Sequence, residues 1–136
     1  MSHSKQYLGL DIGTTRTGVA VADSAVKIAV AYDTIAMNEA TFRADIAKLV
    51  TQLNIDTIVV GYPRNQSGEP TQQTEYVITQ AEQLQDMDAK IVFQDESLTS
   101  VAAKERLGAR GGAYNKAAVD AEAATIILQD YLELHS

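Results

Sequence analysis

Two short apolar runs constrain this chain most. Thr57-Ile58-Val59-Val60-Gly61 shows no alternation of polar and apolar residues, and residues 90–94 centre on Ile91-Val92-Phe93. Runs this short and this apolar are strands buried on both faces, the kind found in parallel sheets covered by helices. A helical pattern precedes each. Over 39–53, Phe42, Ile46, Leu49, Val50 and Leu53 recur at helical spacing, and a second helix is expected over 71–85. The chain opens differently. Residues 6–12 and 17–23 are expected as strands joined by Gly13-Thr14-Thr15-Arg16, and 26–33 as a third strand after a turn at Asp23-Ser24-Ala25. Pro63 and Gly68 mark a loop from Tyr62 to Glu69, a short helix is expected over 99–107, and Gly108, Gly111 and Gly112 break the chain before a last helix from Asn115 to Leu134. An antiparallel meander followed by helix-strand-helix-strand-helix implies an α/β fold, a mixed sheet with helices on both faces. With 136 residues and 46% hydrophobic content, the expectation is a single domain, 1–136, around one core.

Three acids occupy positions where this fold would gather them. Asp11 interrupts the first strand, Tyr7-Leu8-Gly9-Leu10-Asp11-Ile12-Gly13. If 57–61 and 90–94 flank that strand, Asp11 is central, and Glu96 lies just past a strand's carboxyl end, where open α/β sheets build their sites. Asp120 continues the stripe Ala124, Ile127, Leu128 and Tyr131 toward the start of the last helix. Each acid has a plainer reading. Asp11 suits a solvent-facing strand, Asp95-Glu96 a helix start favoured by the macrodipole, and Asp120 the positive end of its helix. Together they suggest more. Carboxylates buried near one another repel, and a divalent cation relieves them. Oxygen ligands of this kind suit Mg²⁺ or Mn²⁺, which points to metal-assisted phosphoryl chemistry.

The remaining composition excludes several alternatives. Without cysteine there are no disulfides and no thiolate metal sites. No apolar run approaches the roughly 20 residues of a membrane span, and the first residues lack a signal-peptide core, so a soluble intracellular protein with no membrane role is expected. The formal net charge of −7 runs against unselective nucleic-acid binding. Its distribution is uneven, however. Lys104, Arg106, Arg110 and Lys116 crowd one segment against a single acid, Glu105. That segment reads either as a phosphate-tracking loop or as a solvated helix end. Arg16, Arg64 and Asn65 stand in other loops or at strand ends, where they suit a phosphate backbone or an ordinary turn.

Four segments, in order and spacing, resemble the YqgF (RuvX) family of ribonuclease H-like nucleases, also described as Holliday junction resolvases. They are Leu8-Gly9-Leu10-Asp11-Ile12-Gly13-Thr14-Thr15-Arg16-Thr17-Gly18-Val19-Ala20; Val59-Val60-Gly61-Tyr62-Pro63 with Asn65 and Gly68; Phe93-Gln94-Asp95-Glu96-Ser97-Leu98-Thr99; and Val119-Asp120 with Ala123 through Leu132. The resemblance implies a ribonuclease H-like fold with five strands in the order 3-2-1-4-5. It implies Asp11, Glu96 and Asp120 as catalytic, metal-binding acids. It also implies a cytoplasmic bacterial nuclease that matures the 5′ end of 16S rRNA or resolves recombination junctions, acting on structured RNA or junction DNA. Symmetric junction cleavage favours a dimer and trimming one rRNA end does not require one, so a monomer or weak homodimer is expected. The chain departs from the family pattern at Thr15 and Ser97, where a basic residue is usual, and at Ala123, where related resolvases carry a fourth acid.

Two other functions fit parts of the chain. Asp11 to Thr15 matches the phosphate loop of actin-like ATPases and sugar kinases, although those enzymes close a second large domain over their nucleotide. A noncatalytic RNA- or ribosome-associated module would keep the fold and tolerate the thinned basic residues.

Overall fold

The computed structural model describes residues 4–63, 71–95 and 116–135. Five strands form one sheet: β1 (Gln6–Ile12), β2 (Arg16–Asp23), β3 (Val30–Ala36), β4 (Thr57–Tyr62) and β5 (Lys90–Asp95). Their order is β3-β2-β1-β4-β5, with β1–β2 and β2–β3 antiparallel and β1–β4 and β4–β5 parallel. This is the expected mixed sheet, with β1 at its centre. The helices described are α1 (Phe42–Leu53), α2 (Gln72–Glu82) and α3 (Lys116–His135).

Strand alternation divides the core into two layers. Even-numbered residues of β1 (Leu8, Leu10, Ile12) and of β4 (Ile58, Val60) join Phe42, Ile46 and Val50 of α1 and Val77 of α2. On the opposite face Ala20, Ala22 and Val59 meet Ala124, Ile127, Leu128 and Leu132 of α3. The second layer is built from small strand residues because α3 lies very close to the sheet. A Cβ at Gly9 would stand 2.8 Å from the Leu128 Cβ and 3.1 Å from the Ala124 carbonyl, so only glycine admits the helix there. Each fully buried Leu or Ile in these layers contributes roughly 1.5–3 kcal/mol of transfer free energy.

Local chemistry sets the element ends. α1 stops at Asn54, which adopts the left-handed conformation (φ 53°), one that Asn tolerates better than most residues. α2 begins with a reciprocal cap: the Thr74 N–H donates to Thr71 Oγ1 while the Thr71 N–H donates to Thr74 Oγ1. Thr74 Oγ1 also donates to the Pro63 carbonyl, which ties the helix start to the end of β4.

β3 departs from expectation, starting at Val30 rather than at residue 26. The turn is longer because Asp23 organises it. Asp23 Oδ1 accepts from the N–H groups of Ala25 (2.6 Å) and Val26 (3.4 Å), and its carbonyl accepts from Lys27 at 2.8 Å. Lys27 then takes a positive φ of 62°, which is incompatible with strand pairing. The short helix expected over 99–107 lies outside the described residues.

Candidate functional site

The site is laid out by sheet register. Asp11 is the antiparallel partner of Gly18, and residues directly opposite in such a pair project to the same face. Gly18 faces α3 so closely that a Cβ there would overlap the main-chain carbonyl of Asp120. Asp11 therefore projects toward the same helix turn that carries Asp120. On its other side β1 runs parallel to β4, with Leu10 opposite Val60, and one residue further along this register Asp11 stands beside Gly61. Gly61 in turn pairs with Gln94 of β5. The result is a row across the α3 face, Gly18, Asp11, Gly61, Gln94, in which the central acid has a glycine on each side.

Asp120 belongs to the buried stripe that its spacing suggests. Ala124, Ile127 and Leu128 are fully buried, and the Asp120 side chain is 26% exposed. Its carboxylate Oδ2 accepts from Arg16 Nε at 2.8 Å, an ion pair spanning 104 positions of sequence. Arg16 is the first residue of β2. Its backbone is held by the turn, where the Gly13 N–H donates to the Arg16 carbonyl at 3.0 Å, and by pairing with Ala36. Alternation places Arg16 and Gly18 on the same face, so the guanidinium shares the α3 side with both acids. With the Arg16 side chain 30% exposed, such a pair contributes at most about 1 kcal/mol to stability. Its importance lies in where it puts the charges.

The carboxyl end of β1 is also secured from below. Gln73 of α2 donates from Nε2 to the Ile12 carbonyl at 3.2 Å, adjacent to Asp11. Sequence reasoning missed Gln73 and the contacts of Gly9 and Gly18 with the last helix, because nothing in their local spacing indicates what they touch. It also missed Glu122, which is buried. Two helical positions span about 200°, so Glu122 projects from the side of α3 away from Asp120.

Of the residues singled out from sequence, the structure pairs Asp120 with Arg16 and puts Asp11 on the same face of the sheet. Lys116 opens α3 as described. Glu96, Arg64, Asn65, Lys104, Arg106 and Arg110 lie outside the described residues. Asp95, the neighbour of Glu96, ends β5 and alternates with Gln94, so it belongs to the opposite face. Among the described residues no group of three acidic, histidine or cysteine side chains converges on one point. The donors that share the face are nevertheless those a hard cation prefers: two carboxylates, bordered by glycines that leave space, with neither sulfur nor imidazole. In donor chemistry the site fits a divalent cation.

The sequence pattern of the RuvX family, described as Holliday junction resolvase, matches residues 5–134. Among similar proteins, one from Synechocystis sp. PCC 6803 is 36% identical, covering 98% of this chain and 91% of its own length. Another, from Bacillus cytotoxicus, is 37% identical over 94% of this chain and 98% of its own length. Both carry the description "Putative pre-16S rRNA nuclease". Two solved structures share the fold. Thermus thermophilus RuvC in complex with a Holliday junction superposes with a TM-score of 0.60 at 17% identity, over 96% of this chain and 94% of that one. The fowlpox virus Holliday junction resolvase gives 0.55 at 14% identity, over 95% and 99%.

Proposed function

The chain belongs to the RuvX family of ribonuclease H-like nucleases, and from that membership and the geometry of its acids we propose that it hydrolyses phosphodiester bonds with a divalent cation held by Asp11, Glu96 and Asp120. The observation that supports this reading is that Asp11 pairs with Gly18, the glycine that lies against the helix turn carrying Asp120. Asp11 supplies a ligand from the rigid centre of the sheet. Asp120 supplies one from a helix whose distance is set by Gly9 and Gly18. Glu96 follows directly on β5, the strand next but one to β1. A divalent cation held there would supply activation of water for in-line attack and charge stabilisation at the leaving 3′ oxygen. Mg²⁺ or Mn²⁺ fits the all-oxygen donor set.

The substrate is structured nucleic acid. Arg16, Arg64, Asn65 and the segment carrying Lys104, Arg106, Arg110 and Lys116 position its backbone, since an acidic chain must concentrate its phosphate contacts locally. The description of the curated relatives favours pre-16S rRNA as the target, and the family resemblance in the sequence favours its 5′ end. The family description and the fold shared with RuvC favour junction DNA as the second reading. The protein acts as a single domain, 1–136, in the cytoplasm, as a monomer or weak homodimer. Among the described residues no helix is long and apolar enough to cross a membrane.

The test is cleavage of a pre-16S 5′-leader RNA and of a four-way DNA junction, with Mg²⁺ and with EDTA. Cation-dependent cleavage of one substrate, absent in Asp11→Asn, is the expected result. Binding without cleavage at any cation concentration would establish the noncatalytic alternative.

A further inference from the structure

Arg16 has a place in this site that nucleic-acid binding alone does not explain. It holds one carboxylate oxygen of Asp120 through Nε at 2.8 Å, on the face that Asp11 shares. We propose that Arg16 is the internal counter-cation of the acid site: its guanidinium and the divalent cation compete for Asp120, and loading of the cation releases Arg16 to a phosphate of the nucleic acid. This rests on the reading of Asp11 and Asp120 as cation ligands.

Four features support competition. Asp120 cannot retreat with Arg16, because the main chain of its helix turn lies against Gly18. The carboxylate must therefore choose between cations at a nearly fixed place. Arg16 by contrast can leave without disturbing the fold. Its backbone is secured independently by the Gly13–Arg16 turn, by pairing with Ala36 and by the Met37 N–H on the Thr15 carbonyl at 2.9 Å. The pair is partly open to water at 30% and 26% exposure, so the guanidinium exchanges one solvated partner for another rather than leaving a buried charge behind. Finally, a divalent cation carries twice the charge of a guanidinium, and the two repel each other at close range when both approach Asp120.

The coupling has a functional consequence. An arginine freed by cation loading is positioned beside the acids and suits bidentate contact with a phosphate. Cation and nucleic acid would then each strengthen binding of the other, as linkage requires.

The experiment is calorimetric titration with Mg²⁺ alone, on wild type, Arg16→Gln, Arg16→Lys, Asp11→Asn and Asp120→Asn, alongside the Arg16 Nε–H resonance of ¹⁵N-labelled protein. Arg16→Gln should bind Mg²⁺ about tenfold more tightly than wild type, because a competing charge is gone. Arg16→Lys should stay near wild type, because the charge remains. In wild type the Nε–H resonance should shift on saturation, and this readout is independent of cleavage. If Asp11→Asn and Asp120→Asn weaken Mg²⁺ binding while Arg16→Gln binds it equally or less tightly, the acids are ligands and the competition proposal is overturned, leaving Arg16 to orient Asp120. If no acid variant alters Mg²⁺ binding, the metal-site reading itself fails and the proposal falls with it.

Discussion

Gly18 and Asp120 meet through backbone: a strand residue without a side chain lies against the main-chain carbonyl of a helix residue 102 positions later. That approach sets the height of α3 above the sheet, and with it the distance between the Asp120 and Asp11 carboxylates. A methyl group at Gly18 has no flexible side chain to push aside. Gly18→Ala should therefore lift the helix and destabilise the protein by about 1–3 kcal/mol. Thermal unfolding should report a drop of several degrees, and Mg²⁺ affinity should fall as the acids separate. A variant that melts like wild type and binds Mg²⁺ equally would show that this close approach is not limiting.

Asp11→Asn keeps the shape of the side chain and removes a charged oxygen ligand. Loss of a supporting group around a metal typically lowers activity about 10- to 100-fold, so loss of a ligand should exceed that. Cleavage should drop on the order of a hundredfold or more, with the circular dichroism spectrum unchanged. Full activity in the purified variant would remove Asp11 from the site.

Leu128 is fully buried and lies over Gly9, one helical repeat from Ala124. Leu128→Ala opens a cavity in the layer that seats α3, and denaturant unfolding should show a loss of about 2–5 kcal/mol. Leu10→Ala, in the other layer, should cost a similar amount while leaving the seat of α3 in place. Mg²⁺ affinity should respond more to the first variant than to the second. Equal effects on the cation would mean that seating of the helix does not control the site.

Asp23 titrates below the ordinary carboxylate range. The Gln6 side chain donates to it at 2.8 Å, and the Ala25 and Val26 N–H groups add to the effect. A carboxyl whose folded pKa is depressed stabilises the fold above its unfolded pKa of about 3.9, and that contribution fades as pH falls through the lower folded value. Between neutral pH and about pH 3, Asp23→Asn should therefore lose less stability than wild type does. Urea midpoints across that range provide the measurement, and parallel curves for the two proteins would contradict the assignment.

The basic segment makes a separate prediction. Arg106→Ala combined with Arg110→Ala should weaken nucleic-acid binding across sequences alike and flatten its salt dependence by roughly 0.9 for each phosphate no longer neutralised. Mg²⁺ affinity should not change, since neither residue is read as a ligand. Affinities measured at several salt concentrations decide this. Unaltered slopes would place the binding face elsewhere.

Much of this fold can be read locally, because the information is local. β4 and β5 are legible as unbroken apolar runs, α1 and α3 as helical stripes, and Asp11 and Asp120 as acids set in apolar surroundings. The start of β3 was not legible. Its residues suit a strand, and it is the hydrogen bonds of Asp23 and the positive φ of Lys27 that commit them to a turn.

By itself, the amino-acid sequence determined the element order, the mixed sheet with β1 at its centre and the presence of one acid on the central strand and another on the stripe of the last helix, since periodicity acts within a few residues. Tertiary structure alone decided that Gly9 and Gly18 face a helix, that Gln73 secures the end of β1, and that Arg16 reaches Asp120 across 104 positions. Glycine, glutamine and arginine are compatible with many surroundings. Only the strand register and the resting height of α3 bring their partners within ångströms, and both arise from packing between segments far apart in the chain.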